Sequence, residues 1–145
     1  MTEKQSNQQS TGITIFLADD DEDDQQLLKE AFTSIDASIQ FCVAENGKQA
    51  LTCLDTLPNH QLPCLIVLDY NMPELNGAEV LQHIVKQGRY TDVPKIIWTT
   101  SNSPAHKEHC LRMGADAYLV KPDNIKDIEN MARKMLQYCK AGTIS

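Results

Sequence analysis

The sequence has no apolar run approaching the 18 or so residues that a membrane span requires. Its opening residues are polar and are not expected to form a secretory leader. Neither insertion nor export is expected, and the cytoplasm is the default location. Basic residues are scarce: 13 Lys and Arg face 20 Asp and Glu, for a net charge of -7. A general nucleic-acid surface needs clustered cations, so direct DNA binding is not expected. The five cysteines include no C-x-x-C pair, and their number is odd. They are expected as buried, reduced thiols rather than as a zinc site or a disulfide framework. Internal repeats, low-complexity tracts and linkers are also missing. At 145 residues the chain reads as one domain.

What is present is an alternation of short apolar runs and helical patterns. Residues 1–12 are rich in Gln, Ser, Thr and Asn and are expected to form a disordered tail. Residues 13–140 are assigned to the domain and 141–145 to a short C-terminal tail. Strands are expected at about Ile13–Ala18, Ile39–Val43, Cys64–Leu68, Lys95–Thr99 and Tyr118–Val120. Helices are expected at about Asp23–Ser34, around Ala50–Leu57, at Gly77–Lys86, from Pro104 to just before Gly114, and at Asn124–Cys139. Pro58–Pro63 reads as a loop. Strands alternating with helices imply βαβ units, hence a parallel sheet covered on both faces.

Three strand ends carry the polar chemistry. Cys64-Leu65-Ile66-Val67-Leu68 runs directly into Asp69, the first strand runs into Asp19-Asp20-Asp21, and the fourth ends in Thr99-Thr100-Ser101. In open parallel sheets, functional groups gather at the carboxyl ends of strands. Carboxylates and hydroxyls at three such ends can build one site.

With these residues in place the chain resembles the receiver domain of two-component response regulators, the CheY-like family, over about Ile13 to Cys139. The likeness lies in an ordered set. Asp19-Asp20 closes the first strand, Asp69 closes the third, and Asn71, Met72-Pro73 and Gly77 follow Asp69. Thr99 closes the fourth strand 30 residues beyond Asp69, and Lys121-Pro122 closes the fifth, 22 residues further on. The resemblance implies an α/β doubly wound three-layer sandwich of flavodoxin-like type with strand order 2-1-3-4-5. It also implies a stand-alone phosphoacceptor switch, since no output domain is expected after Cys139. Direct transcriptional control is therefore not expected. Such a protein catalyses only its own phosphorylation and dephosphorylation and is not an enzyme of metabolism.

The same resemblance assigns roles. Asp69 is implied as the acceptor of a phosphoryl group from a sensor histidine kinase or histidine phosphotransfer protein. Asp20, Asp69 and the backbone carbonyl of Asn71 are implied as direct Mg²⁺ ligands, with Asp19 acting through coordinated water. An all-oxygen set with retained waters suits Mg²⁺. Thr99 and Lys121 would bind phosphoryl oxygens, and Thr99 and Tyr118 would form the switch that changes the protein-binding surface. Asn71 and Ser101 hold positions that tune phosphate lifetime in the family. Thr100 is larger than the residue often found at its place, which would restrict access to the phosphoryl group. The charge count is consistent with these roles. Asp19, Asp20 and Asp69 contribute three negative charges, which Mg²⁺ and Lys121 balance. Like charges about 4 Å apart repel by roughly 4 kcal/mol per pair at an effective dielectric near 20, so the metal-free pocket is expected to be strained.

Other readings fit less well. Asp19, Asp21, Asp23 and Glu30 match a calcium loop at four positions, but Asp24 stands where that loop needs glycine. Asp21, Asp23 and Asp24 are instead expected to start the first helix. A haloacid-dehalogenase-type phosphatase would need an acid two residues after its nucleophile, and Asn71 cannot protonate a leaving group. Flavin phosphate binding is disfavoured because the first loop is the most acidic stretch of the chain. His106 and His109 are expected on an exposed polar face. His60 and His83 have no partner suggesting phosphorelay. A degenerate receiver that only binds proteins is the rival function, and retention of every site residue argues against it.

Overall fold

The computed structural model describes residues 13–143. Its strands are β1 (Thr14–Ala18), β2 (Gln40–Ala44), β3 (Leu65–Leu68), β4 (Lys95–Thr99) and β5 (Ala117–Val120). Its helices are α1 (Glu22–Ile35), α2 (Gly47–Thr56), α3 (Gly77–Gln87), α4 (Pro104–Arg112) and α5 (Ile125–Thr143). All strand pairs are parallel, in the order β2-β1-β3-β4-β5. The expected doubly wound sandwich is therefore present. The proposed tail at residues 1–12 lies outside the described residues.

Period-two alternation divides the core. Phe16, Ala18, Ile66, Leu68 and Ile97 face one side of the sheet, where they meet Leu54 of α2 and Val80, Leu81 and Ile84 of α3. Ile15, Leu17, Leu65, Val67, Ile96 and Trp98 face the other side and meet Leu28 and Phe32 of α1 and Ala132, Met135 and Leu136 of α5. This partition follows from the strand order and the right-handedness of βαβ crossovers. The chain steps from β1 to β2 in one direction and from β2 over to β3 in the other, so α1 and α2 fall on opposite faces. Every residue of β3 and β4 is buried, whereas the edge strands β2 and β5 are mixed. Continuous apolar runs thus mark central strands buried on both faces.

Helix starts carry local signals. Asp21 caps α1, accepting from the backbone N–H groups of Asp23 (2.9 Å) and Asp24 (3.2 Å). This confirms a helix start rather than a calcium loop. Asn76 and Glu79 form a reciprocal capping box on α3, and Ser103 with Pro104 opens α4. Gly88 ends α3 at φ 76°, in the left-handed region that glycine enters without steric cost. The loop at Pro58–Pro63 contains a short 3-10 turn, Asn59–Gln61, that periodicity does not reveal.

The cysteine expectation needs correction. Cys64 and Cys139 form a disulfide that joins the approach to β3 to α5, across a separation of 75 residues. Cys110 is a buried free thiol, as expected. Cys42 on β2 and Cys53 on α2 are half-buried free thiols whose sulfurs lie 3.1 Å apart. Spacing along the chain cannot reveal these pairs, because helix packing on the sheet brings them together.

Candidate functional site

The strand order reverses between β1 and β3, and a crevice opens there at the carboxyl ends of the strands. Hydrogen bonds continuing the ladders fix its rim. The Asp69 backbone N–H donates to the Ala18 carbonyl at 2.9 Å, and that of Asp19 to the Ala44 carbonyl at 3.0 Å. Across the crevice, the Lys121 N–H donates to the Thr99 carbonyl at 2.8 Å. Asp19, Asp69 and Lys121 are therefore held by sheet backbone rather than by free loops.

Carboxylate oxygens of Asp19, Asp20 and Asp69 all lie within 4.8 Å of one another. Asp19 and Asp69 are buried, and Asp20 is exposed at the mouth. Lys121 reaches in from the end of β5. Its Nζ lies 2.8 Å from Asp19 Oδ2, 2.7 Å from Asp24 Oδ2 and 3.2 Å from Asp69 Oδ2. The contacts to Asp24 and Asp69 are aligned hydrogen bonds. Asp19 Oδ2 is a close ionic neighbour of the ammonium at 2.8 Å, but among the described residues no aligned hydrogen bond reaches it. Lys121 therefore compensates the charge of Asp19 without saturating its oxygen, and a hard cation in the crevice would add a further partner. The donor set, all carboxylate oxygen with one member open to solvent, suits a hard divalent cation that keeps water ligands.

Burial pushes the Asp19 carboxyl up to about 6, against the pull of Lys121 and the Asp21 N–H, which bonds its Oδ1 at 2.9 Å. Burial alone would lower the Lys121 ammonium; its carboxylate partners Asp19 and Asp24 outweigh that and raise it. Lys121 therefore stays charged at the crevice.

The loop after β3 is shaped to carry Asp69. The Asn71 N–H donates to Asp69 Oδ1 at 3.3 Å, and the Gly77 N–H to the Tyr70 carbonyl at 2.8 Å. A Cβ on residue 77 would stand 2.5 Å from the Asp69 carbonyl oxygen, so α3 approaches this closely only because Gly77 has no side chain. Between them Glu74 takes a left-handed φ of 75°, a strained conformation for a residue with a Cβ.

Thr99 is fully buried at the end of β4, and Tyr118 on β5 is folded inward. The Tyr118 hydroxyl donates to the Ser101 carbonyl at 2.8 Å. Thr100 is exposed, and Trp98 lies under Lys121, whose Nζ is 5.0 Å from the ring centroid.

Asp19, Asp20, Asp69, Thr99 and Lys121 lie at the carboxyl ends of β1, β3, β4 and β5, Asn71 lies in the loop after β3, and Tyr118 is the second residue of β5. Three side-chain contacts escaped sequence reasoning. Asp24 is not only part of the start of α1, because its side chain is bonded to Lys121. A signal for this existed: Asp24 lies three and four residues before Leu27 and Leu28, on the face that α1 turns to the core. His106 does not sit on a bare polar face. It stacks on Tyr70 with centroids 4.2 Å apart, and its Nδ1 shares a hydrogen bond of 2.6 Å with the Ser101 hydroxyl. His83 also has a partner, Asp55, at 3.3 Å.

The family model of the response regulator receiver domain matches residues 15–133. The chain belongs to the response regulator receiver family. Among relatives of this receiver is the two-component response regulator ORR5 of Oryza sativa subsp. japonica, 31% identical over 117 residues, which are 79% of this chain and 85% of the relative. In fold, the receiver is similar to the phosphorylated cyanobacterial phytochrome response regulator RcpA. The TM-score is 0.80 at 23% identity, over 89% of this chain and 94% of the other. It is also similar to the Mn²⁺-bound form of response regulator Rcp1, with a TM-score of 0.77 at 24% identity, over 92% and 97% of the two chains. The protein is thus a two-component signalling receiver, and histidine kinases or phosphotransfer proteins are the partners of its family.

Proposed function

We propose that this receiver is a stand-alone response regulator in a phosphorelay, loaded by a phosphoryl group on Asp69 in a Mg²⁺-dependent reaction. The observation that carries the reading is the position of Asp69: buried at the switch point, with the Asn71 N–H on one oxygen and the Lys121 ammonium on the other. We take residues 13–140 as the receiver unit and the cytoplasm, where ATP charges histidine kinases, as its location.

Asp20, Asp69 and the Asn71 backbone carbonyl would hold Mg²⁺ directly, with Asp19 acting through water. When bound, the ion offsets carboxylate charge and polarises the incoming phosphoryl oxygens. The chain's own residues do the rest. A carboxylate oxygen of Asp69 bonds to phosphorus while the bond from phosphorus to the donor imidazole nitrogen breaks, and that nitrogen keeps the electron pair. Positioning and charge compensation dominate such transfers. Lys121 supplies a fixed positive charge for the phosphoryl oxygens, and the Thr99 hydroxyl supplies a neutral donor. Tyr118 already packs inward in the unloaded chain, so drawing Thr99 toward the phosphoryl group would raise the population of a packing that is present without it. The surface of α4 and β5 then changes by a shift between two packings. The protein catalyses only its own loading and unloading, and its output is a protein contact rather than direct DNA binding.

Incubation with acetyl phosphate and Mg²⁺ tests the reading. Uptake of one phosphoryl group is expected, lost in Asp69→Asn and on chelation of the metal. Uptake that persists in Asp69→Asn contradicts Asp69 as the acceptor, and no uptake by the unaltered protein favours a receiver that only binds proteins.

A further inference from the structure

Lys121 has three N–H donors and three carboxylate neighbours, and those neighbours are not equivalent. Asp19 and Asp69 belong to the carboxylate trio of the crevice; Asp24 does not. Asp24 nevertheless lies as close to the ammonium as Asp19 does, 2.7 Å against 2.8 Å, with Asp69 at 3.2 Å. It is the third residue of α1, with its backbone N–H held by the Asp21 side chain, so a rigid helix end aims its carboxylate at Lys121. We propose that Asp24 is a positioning residue that competes with the phosphoryl group for Lys121 and so sets the donor concentration at which Asp69 is loaded. The inference rests on the phosphoryl-switch reading and deepens it.

Loading replaces the charge of -1 on Asp69 by about -2. The transfer forms a bond from an Asp69 oxygen to phosphorus and breaks the phosphorus–oxygen bond of acetyl phosphate, which departs as acetate with the electron pair. Lys121 then serves the new oxygens as well, and any N–H it takes from Asp19 or Asp24 to do so releases that partner. Exposure decides which. The Asp19 side chain is 1% exposed and would be stranded without water, whereas that of Asp24 is 25% exposed and can be rehydrated. Asp24 also sits in the first turn of α1, where the helix dipole favours a free carboxylate. Asp24 is therefore the partner Lys121 can leave. Until it does, Asp24 neutralises part of the positive charge that the phosphoryl group needs, and adds a negative charge beside it.

The test compares Asp24→Asn, which removes the charge with little change in shape, with Asp24→Glu, which keeps it. Asp24→Ser serves as a second charge-free variant if the Asn protein does not fold. At saturating Mg²⁺, the half-saturating concentrations of acetyl phosphate, by phosphoryl uptake, and of beryllofluoride, by Trp98 emission, are measured. For removal of one partly exposed charge, the Asn variant is expected to lower both by roughly three- to tenfold, with the Glu variant close to the unaltered protein. A purely structural role would shift the melting midpoint without tightening both ligands. Half-saturation unchanged or raised in the charge-free variants, while the unaltered protein loads normally, overturns the role of Asp24. Failure of the unaltered protein to take up phosphoryl groups at all overturns the switch reading beneath it.

Discussion

Tyr118 on β5 donates its phenolic hydrogen to the backbone carbonyl of Ser101, two residues beyond Thr99, at 2.8 Å. That bond ties the interior of the α4–β5 face to the loop that leaves the end of β4. Ser101 in turn meets His106 of α4 at 2.6 Å, and His106 stacks on Tyr70, next to Asp69. A continuous set of contacts therefore joins the two strand-end loops to the start of α4.

Tyr118→Ala removes the inward ring and its bond. In the unaltered protein, beryllofluoride with Mg²⁺ is expected to change amide exchange across residues 101–112. In the alanine variant that response should fall several-fold while beryllofluoride still binds. An undiminished response in the variant would remove Tyr118 from the switch.

Trp98 lies beneath the Lys121 ammonium, 5.0 Å from ring centroid to Nζ, and next to Thr99. Both neighbours face the crevice, so binding there must alter the field at the indole. Its emission is expected to change on titration with Mg²⁺ and again with beryllofluoride. As Trp98 is the single tryptophan, the signal is unambiguous. A flat titration at saturation counts against the placement of Lys121.

Asp19 yields a pH dependence whose sign is fixed. Burial holds its carboxyl at about 6 in the folded protein, above the ordinary 3.8. A raised carboxyl contributes stability that is fully present below pH 3.8 and is lost as pH rises through about 6. Metal-free protein should therefore gain from Asp19→Asn at pH 7 but not at pH 4, by on the order of 1–3 kcal/mol at the higher pH. Urea unfolding in the presence of chelator measures this. Mg²⁺ should stabilise the unaltered protein more than the variant. An equal effect of the substitution at both pH values would contradict the buried, ionisable Asp19.

The Cys64–Cys139 disulfide closes a loop spanning 75 positions. Chain-entropy arguments put its loss at about 2–4 kcal/mol of stability. Denaturant unfolding with and without a thiol reductant should show that loss, and Cys139→Ser should be insensitive to reductant. Equal stability in both conditions would show that the bond contributes nothing. In a reducing cytoplasm the open form would be the working one.

Much of this architecture was legible because it is local. Val67 and Leu68 are buried on opposite faces of a central strand, so the apolar run before Asp69 could only be an interior strand. The strand-end residues Asp19, Asp69, Thr99 and Lys121 could then be placed without coordinates. What was missed depends on contacts between distant segments. The partner of Asp24 lies 97 residues away, and that of Cys139 lies 75 away. His106 read as half of a surface pair with His109, because its stacking partner Tyr70 comes from another strand-end loop. Periodicity identified the face on which Asp24 sits, but not that a lysine from β5 would reach it.

The central claim is that Asp69 itself carries the phosphoryl group. Reduction of an aspartyl phosphate with borohydride converts that one side chain to homoserine, which peptide mass spectrometry can locate. After treatment with acetyl phosphate and Mg²⁺, homoserine is predicted at position 69 and at neither 19 nor 20. Homoserine at another position, or none despite phosphoryl uptake, would contradict the account.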